Sequence, residues 1–286
     1  MKRILLLTGV AAAALAGRQF ARRCTDEKQA RAAWAQLAST AGPAAGRFDP
    51  AMVADLPEPA RRFFLFAIEP GARLGSAVEI TMEGELSLGT KEDPRYQPMQ
   101  AEQLLAAPHG LVWRVRTGSG VMCAEGSDGM VGDRSWTRFR VLGLLPVVRA
   151  GGDADHLRSS FGRVIGEAAF WAPASLLPQA GVAWTAVDAD TARATVTHRG
   201  MRQQVDIRVD AGGQPLWVCL PRWSNANPAG VYREQSFGGE LSDFRRVQGL
   251  RVPFRVDGGN FFGTPDYFPF YRARVLSFRV LPPTQR

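Results

Sequence analysis

Residues 78–88 read VEITMEGELSL, and their period is two. Val78, Ile80, Met82, Gly84, Leu86 and Leu88 fall on one face, and Glu79, Thr81, Glu83, Glu85 and Ser87 on the other. Successive side chains of a β-strand point to opposite sides, so this alternation predicts a half-buried strand with one dry face and one wet face. That pattern belongs to antiparallel sheets, because strands of parallel sheets are buried on both faces.

The same alternation recurs at Leu111, Trp113 and Val115, at Ala192, Ala194 and Val196, at Val205, Ile207 and Val209, and at Leu276, Phe278 and Val280. Reversals are marked by GDR (132–134), DAGGQ (210–214) and VQGL (247–250), so the chain carries about ten or eleven strands. One helix interrupts them. Asp153 or Asp155 caps it, Leu157, Phe161, Val164, Ile165 and Ala168 follow at helical spacing, and Pro173 cannot continue it. In the exit of that helix, FWAPASLLPQAGVAW (170–184), the last three residues already begin a strand. The expected fold is α+β: a strongly curved antiparallel sheet, an open half-barrel, packed around one or two helices. A flat sheet of that size would leave its apolar face in water.

Upstream, Thr25 is expected to cap a helix reaching about Ser39, and STAGPAAG (39–46) reads as a flexible linker. Pro59 opens a second helix with Ala60, Phe63, Phe64 and Ala67 on one face. The segment MKRILLLTGVAAAALAGRQFARRC (1–24) has a basic start and an uncharged run from Ile4 to Gly17. Such a run spans roughly 21 Å as a helix, short of a hydrocarbon core of about 30 Å. It suits a signal-like segment, with Ala14-Leu15-Ala16 as a cleavage site, or a short anchor whose flanking arginines snorkel. The organisation expected is a membrane-targeting segment at 1–24, a helix and linker at 25–52, and a single β-rich domain at 53–286. The protein is then membrane-associated, periplasmic or exported rather than cytosolic.

Composition narrows the classes. With 45% hydrophobic and 22% charged residues the chain is globular, not disordered. Its net charge of +8 is concentrated at the start: residues 1–31 hold seven basic and two acidic side chains, which leaves +3 for the rest. Anionic lipid headgroups fit that basic arm better than nucleic acid does, and no basic stripe with interleaved aromatics is present. Cys24, Cys123 and Cys219 form no metal-ligand spacing with His109, His156 or His198. Cys123 and Cys219 are open to two readings, a disulfide in an exported domain or two small buried hydrophobes.

The blocks LPEPARRFF (56–64), VLGLLPVV (141–148), GRVIGEAAFWAPASLLPQAGVAW (162–184), ARATVTHRG (192–200) and YFPFYRARV (267–275) resemble a bacterial family of uncharacterised proteins, a domain of unknown function. Its most recognisable element is a helix ending in Glu, Trp, Pro and Leu-Leu-Pro, here Glu167, Trp171, Pro173, Leu176, Leu177 and Pro178. The resemblance covers roughly residues 53–281 and implies an N-terminal membrane segment. By analogy it also implies a fold similar to the lipoprotein-carrier half-barrels, with an apolar cavity.

No nucleophile elbow, dinucleotide fingerprint, P-loop or zincin motif is present, and no cofactor or metal is expected. Glu167 pairs at i, i+4 with Arg163 but leads into Phe170 and Trp171, so it reads either as a surface ion pair or as a carboxylate entering an apolar cavity. Asp128 and Asp133 flank a turn. FFGTPDYFPFY (261–271) has aromatics of no regular period and reads as an exposed apolar loop. The expectation is a non-enzymatic binding protein that holds an apolar ligand, a lipid or acyl chain. The ligand contacts expected are Glu167, Trp171, Leu176 and Leu177 with Phe262, Phe268 and Tyr271. A protein-interaction or sensor module using the same mouth is the second reading, and an unassigned hydrolase the third.

Overall fold

In the computed structural model, which describes residues 2–40, 46–120 and 123–281 with side chains from residue 14 onward, the opening stretch lies within β1 (Ala77–Ser87). Val78, Ile80 and Met82 are buried on its inner face. Outside, Glu79, Glu83 and Glu85 pair with Arg279, Arg274 and Arg272 of the neighbouring strand, so the wet face is a ladder of cross-strand ion pairs.

The sheet has thirteen strands in the order β6-β5-β4-β3-β2-β1-β13-β12-β11-β10-β9-β8-β7, every neighbour antiparallel. One wing continues from β1 through β2 (Tyr96–Ala106), β3 (Gly110–Thr117), β4 (Ala124–Val131), β5 (Arg134–Val141) and β6 (Leu145–Gly151). The other comprises β7 (Ala183–Ala186), β8 (Thr191–His198), β9 (Met201–Val209), β10 (Pro215–Ser224), β11 (Arg233–Val247), β12 (Leu250–Asn260) and β13 (Phe268–Val280). Each wing is a meander, and β1 joins them by pairing with β13. The expected fold class holds, with more strands than the ten or eleven read from the sequence. β6 is exposed at every residue, so it carries no burial period to read. The alternation in β13 also breaks: a bulge opposite Thr81 and Met82 leaves Leu276 exposed, while Val275 and Phe278 turn inward.

Among the described residues three α-helices accompany the sheet: α1 (Lys2–Ser39), α2 (Glu58–Ala67) and α3 (Ala154–Trp171). Asp153 caps α3 by accepting from His156 N. This helix lies in the concave face against β9 and β10 and reaches β2–β5 of the opposite wing. Phe63 and Phe64 of α2 close one end of the same core beside Trp184. The two wings also meet at their hairpin tips, where the rings of His109 and His198 stand 5.2 Å apart, edge to face.

α1 corrects one expectation. It runs unbroken through Thr25, which does not cap it: its hydroxyl donates to Ala21 O one turn back, at 3.0 Å. The helix also lies outside the curve. Ala30, Ala33 and Leu37 pack on Leu104, Val112, Val131 and Trp136, which alternate with core residues such as Leu105, Leu111 and Met130, so α1 covers part of the convex face. Among the described residues no helix is long and apolar enough to cross a membrane. The linker read at 39–46 falls largely on residues outside those described, as do most side chains of the uncharged run from Ile4 to Gly17.

Candidate functional site: an apolar cleft with a charged wall

The sheet curves far enough to leave a cleft of about 310 Å³ between α3 and strands of both wings. Its apolar walls come from Trp113 and Phe139 on one side, Val218 and Phe237 on the other, and Phe170 and Trp171 at the end of α3. The floor is made of backbone. Gly239 of β11 opposes Gly258 of β12, and both line the cleft. A Cβ at Gly239 would stand 2.5 Å from Asp257 O, so strand approach alone demands glycine there. At Gly258 a Cβ would meet nothing closer than 3.5 Å, so that position has room for a side chain and leaves it empty.

One wall is polar. Arg163 of α3 donates through Nε to Glu167 at 2.6 Å, through Nη1 to Asp128 at 2.7 Å and through Nη2 to Gln103 at 3.3 Å. Gln103 donates in turn to Glu167. Asp128 also accepts from Thr137, whose hydroxyl meets His156 Nε2, while His156 Nδ1 meets Ser135 at 2.8 Å. Thr137 has one proton to donate and gives it to Asp128, so His156 carries its own proton on Nε2. Ser135 and His156 are buried and neither lines the cleft. This serine–histidine pair ties α3 to β5 rather than presenting a nucleophile. The Arg163 guanidinium lies 5.0 Å from the Trp113 ring, and its two carboxylate partners raise its pKa further against the cost of burial. Burial, with Glu167 nearby, also pushes the Tyr271 phenol above its ordinary value; its hydroxyl donates to Met82 Sδ.

Arg222 of β10 is a second guanidinium in the cleft. It lies above the ring of Phe237 at 4.8 Å and makes one long hydrogen bond, 3.4 Å, to Ser159 O. Burial, and then Arg163 nearby, lower its pKa to about 10.

Of the residues expected at the site, Glu167, Trp171 and Tyr271 come together in the cleft. Trp171 is 1% exposed and its indole donates to Pro253 O. Leu176 and Leu177 sit in the core, 1% and 2% exposed, and do not line the cleft. Phe262 is on the other side of the sheet: it packs on Trp217, which alternates with inward-facing Val218, and over Gly238. Phe268 packs against Tyr96 with the rings tilted and 5.9 Å apart, outside the cleft, so of the aromatic stretch 261–271 only Phe270 and Tyr271 line the cleft. Asp128, read as a turn former, is inside β4 and faces inward. The three cysteines are free: Cys123 Sγ accepts from Arg116, and Cys219 Sγ lies 3.4 Å from Ser236 Oγ.

Trp113, Arg222 and the glycine floor join the site in addition to the residues expected there. Their signals are present in the sequence. Arg222 stands where the inward series Val218, Leu220 calls for a third apolar residue, and the dipeptides Gly238-Gly239 and Gly258-Gly259 interrupt two strands.

A larger groove of about 570 Å³ lies under α1 on the convex face. Several of its charges pair within the protein, Arg23 with Glu125 at 3.0 Å and Arg114 with Glu102 at 3.2 Å.

Fold and cleft together define an open antiparallel half-barrel with a ligand-sized apolar site. The chain belongs to a family of unknown function, DUF6544, whose model matches residues 46–273. No curated protein matches it. Among solved structures it is similar to a LolA superfamily protein from Nitrosomonas europaea, at 11% identity and a TM-score of 0.39 over 80% of this chain and 93% of that one. It is also similar to a putative outer membrane lipoprotein-sorting protein domain from Vibrio parahaemolyticus, at 9% identity and a TM-score of 0.38 over 71% and 85%.

Proposed function

We propose that this protein is a membrane-tethered or exported binding protein that holds an apolar ligand, an acyl chain or lipid, in the concave cleft without transforming it. The observation that carries this reading is the cleft itself: about 310 Å³, apolar on most sides, floored by a facing glycine pair that removes side chains where a ligand would lie. Small-molecule sites have this character, and they start at about this volume, roughly 300 Å³. Each methylene buried there contributes on the order of 0.8 kcal/mol, so affinity needs no catalytic group.

The membrane part of the proposal has its own support. Arg23 of α1 donates to Gly143 O in the turn between β5 and β6. That hairpin exposes Leu142, Leu145, Val147 and Val148, and α1 exposes Leu15 and Phe20. Apolar side chains in water beside a basic helix suit the surface of an anionic bilayer.

Native mass spectrometry of protein purified from its own membrane tests the proposal, with a co-purifying acyl ligand as the expected result. Gly258→Leu, which fills the floor, should release that ligand while leaving the fold intact. A protein that never carries or takes up an apolar ligand, with or without the substitution, would refute it.

A further inference from the structure

We propose that the cleft selects a single-chain amphiphile with an anionic head, a carboxylate or phosphate monoester bound by Arg222. This rests on the cleft being the apolar-ligand site proposed above, and it names the chemistry of the ligand's polar end.

Four ionised side chains line the cleft: Asp128, Arg163, Glu167 and Arg222. The first three are committed to one another. Arg163 spends Nε and both Nη groups on Glu167, Asp128 and Gln103. The remaining oxygens of the acids take Thr137 and Gln103. Neither carboxylate therefore turns to Arg222, which makes no ion pair among the described residues and donates to protein only through Nε, to Ser159 O. Its Nη groups are left to whatever fills the cleft.

Arg222 is also held in place. Its stem crosses α3 at Gly162, where a Cβ would stand 3.4 Å from Arg222 Cγ, and Phe237 supports the guanidinium plane. A planar guanidinium on a rigid strand matches the two oxygens of a carboxylate or phosphate. Such an anion would offset the desolvation of Arg222 and its repulsion from Arg163, which the charges of Asp128 and Glu167, not bonded to it, offset only in part. The volume limits the rest of the ligand. At ~30 Å³ for each water-sized group, a cleft of about 310 Å³ matches one chain of moderate length better than the two chains of a phospholipid.

Titration of the full-length protein with dodecanol, dodecanoate and dodecyl phosphate tests this. At least one of the two anions is expected to bind roughly tenfold to a hundredfold more tightly than the alcohol, the range for hydrogen bonds to a charged group, and the tighter one identifies the head. Arg222→Gln should bring the anions down to the affinity of dodecanol and leave dodecanol itself unchanged, which also certifies the fold. Arg222→Lys should retain part of the preference. If dodecanol binds as well as both anions, the head-group inference fails and the apolar site stands. A preference that survives Arg222→Gln overturns the role of Arg222. If none of the three binds, the proposed function fails with it.

Discussion

On the concave face one arginine, Arg163, answers two carboxylates, Asp128 and Glu167. On the convex face one carboxylate, Asp26, answers three arginines, Arg138, Arg140 and Arg149. Both clusters fasten a helix to the sheet, α3 inside and α1 outside. They differ in what is left over. Outside, Asp26 is buried while its partner Arg149 remains half-exposed, so water absorbs the surplus positive charge. Inside, the cluster alone carries one negative charge in excess, and Arg222 balances it from across the cleft without pairing with either carboxylate. A cluster that closes on itself anchors, whereas a cluster that leaves a desolvated cation beside a void is built to receive something.

The largest predicted effect tests whether α3 is the true keystone. Trp171→Ala removes a fully buried side chain and its bond to Pro253, and should cost about 3–5 kcal/mol in chemical denaturation. Asp26→Asn should cost about 3 kcal/mol by leaving buried guanidinium groups without their anion. The loss should register as faster amide exchange through Ala30–Leu37, while ligand binding in the cleft stays intact. Loss of binding in that variant would break the separation of the two faces. Glu167→Gln should be milder, about 1–3 kcal/mol, because Asp128 still holds Arg163.

Acid titration sharpens the contrast further. Burial opposes ionisation of Asp26, but hydrogen bonds from Arg149 and the charges of Arg138, Arg149 and Arg140 outweigh it and hold its pKa below the ordinary 3.8. Its stabilising contribution is therefore complete above that value and is lost as pH falls through the lower folded value. Stability measured against pH should lose this acid limb in Asp26→Asn. The smallest effect belongs to the hairpin tips. Desolvation and Arg199 lower the pKa of His109, and desolvation, His109 and Arg199 lower that of His198. The unfolded chain then takes up protons first, so stability declines as pH drops below 6.5. His198→Asn should flatten that decline.

Local pattern revealed the parts of this molecule that local physics controls. β1 displays its two faces because every second side chain meets water, and Glu167 and Trp171 drew notice because a carboxylate leads into aromatics at a helix exit. β6 was illegible because it buries nothing. The α1 helix looked like two pieces because its composition changes near Thr25 while its hydrogen bonds continue. Asp128 looked like a turn residue because its partner lies 35 positions away on α3. Trp113 and Arg222 meet only through the curvature of the whole sheet, which no stretch of sequence encodes alone.

The pairing of β1 with β13 also bears on synthesis. Val78 finds its partner Val280 only after the roughly two hundred residues between them have been made. Until then each wing can form as a meander of neighbouring hairpins, but β1 waits with an open edge at what becomes the middle of the sheet. Closing so long a loop is slow, and an unpaired strand edge invites other chains. The growing polypeptide therefore passes through a stage in which its future centre is its most vulnerable border, and a chaperone that shields β1 would raise the yield of folded protein.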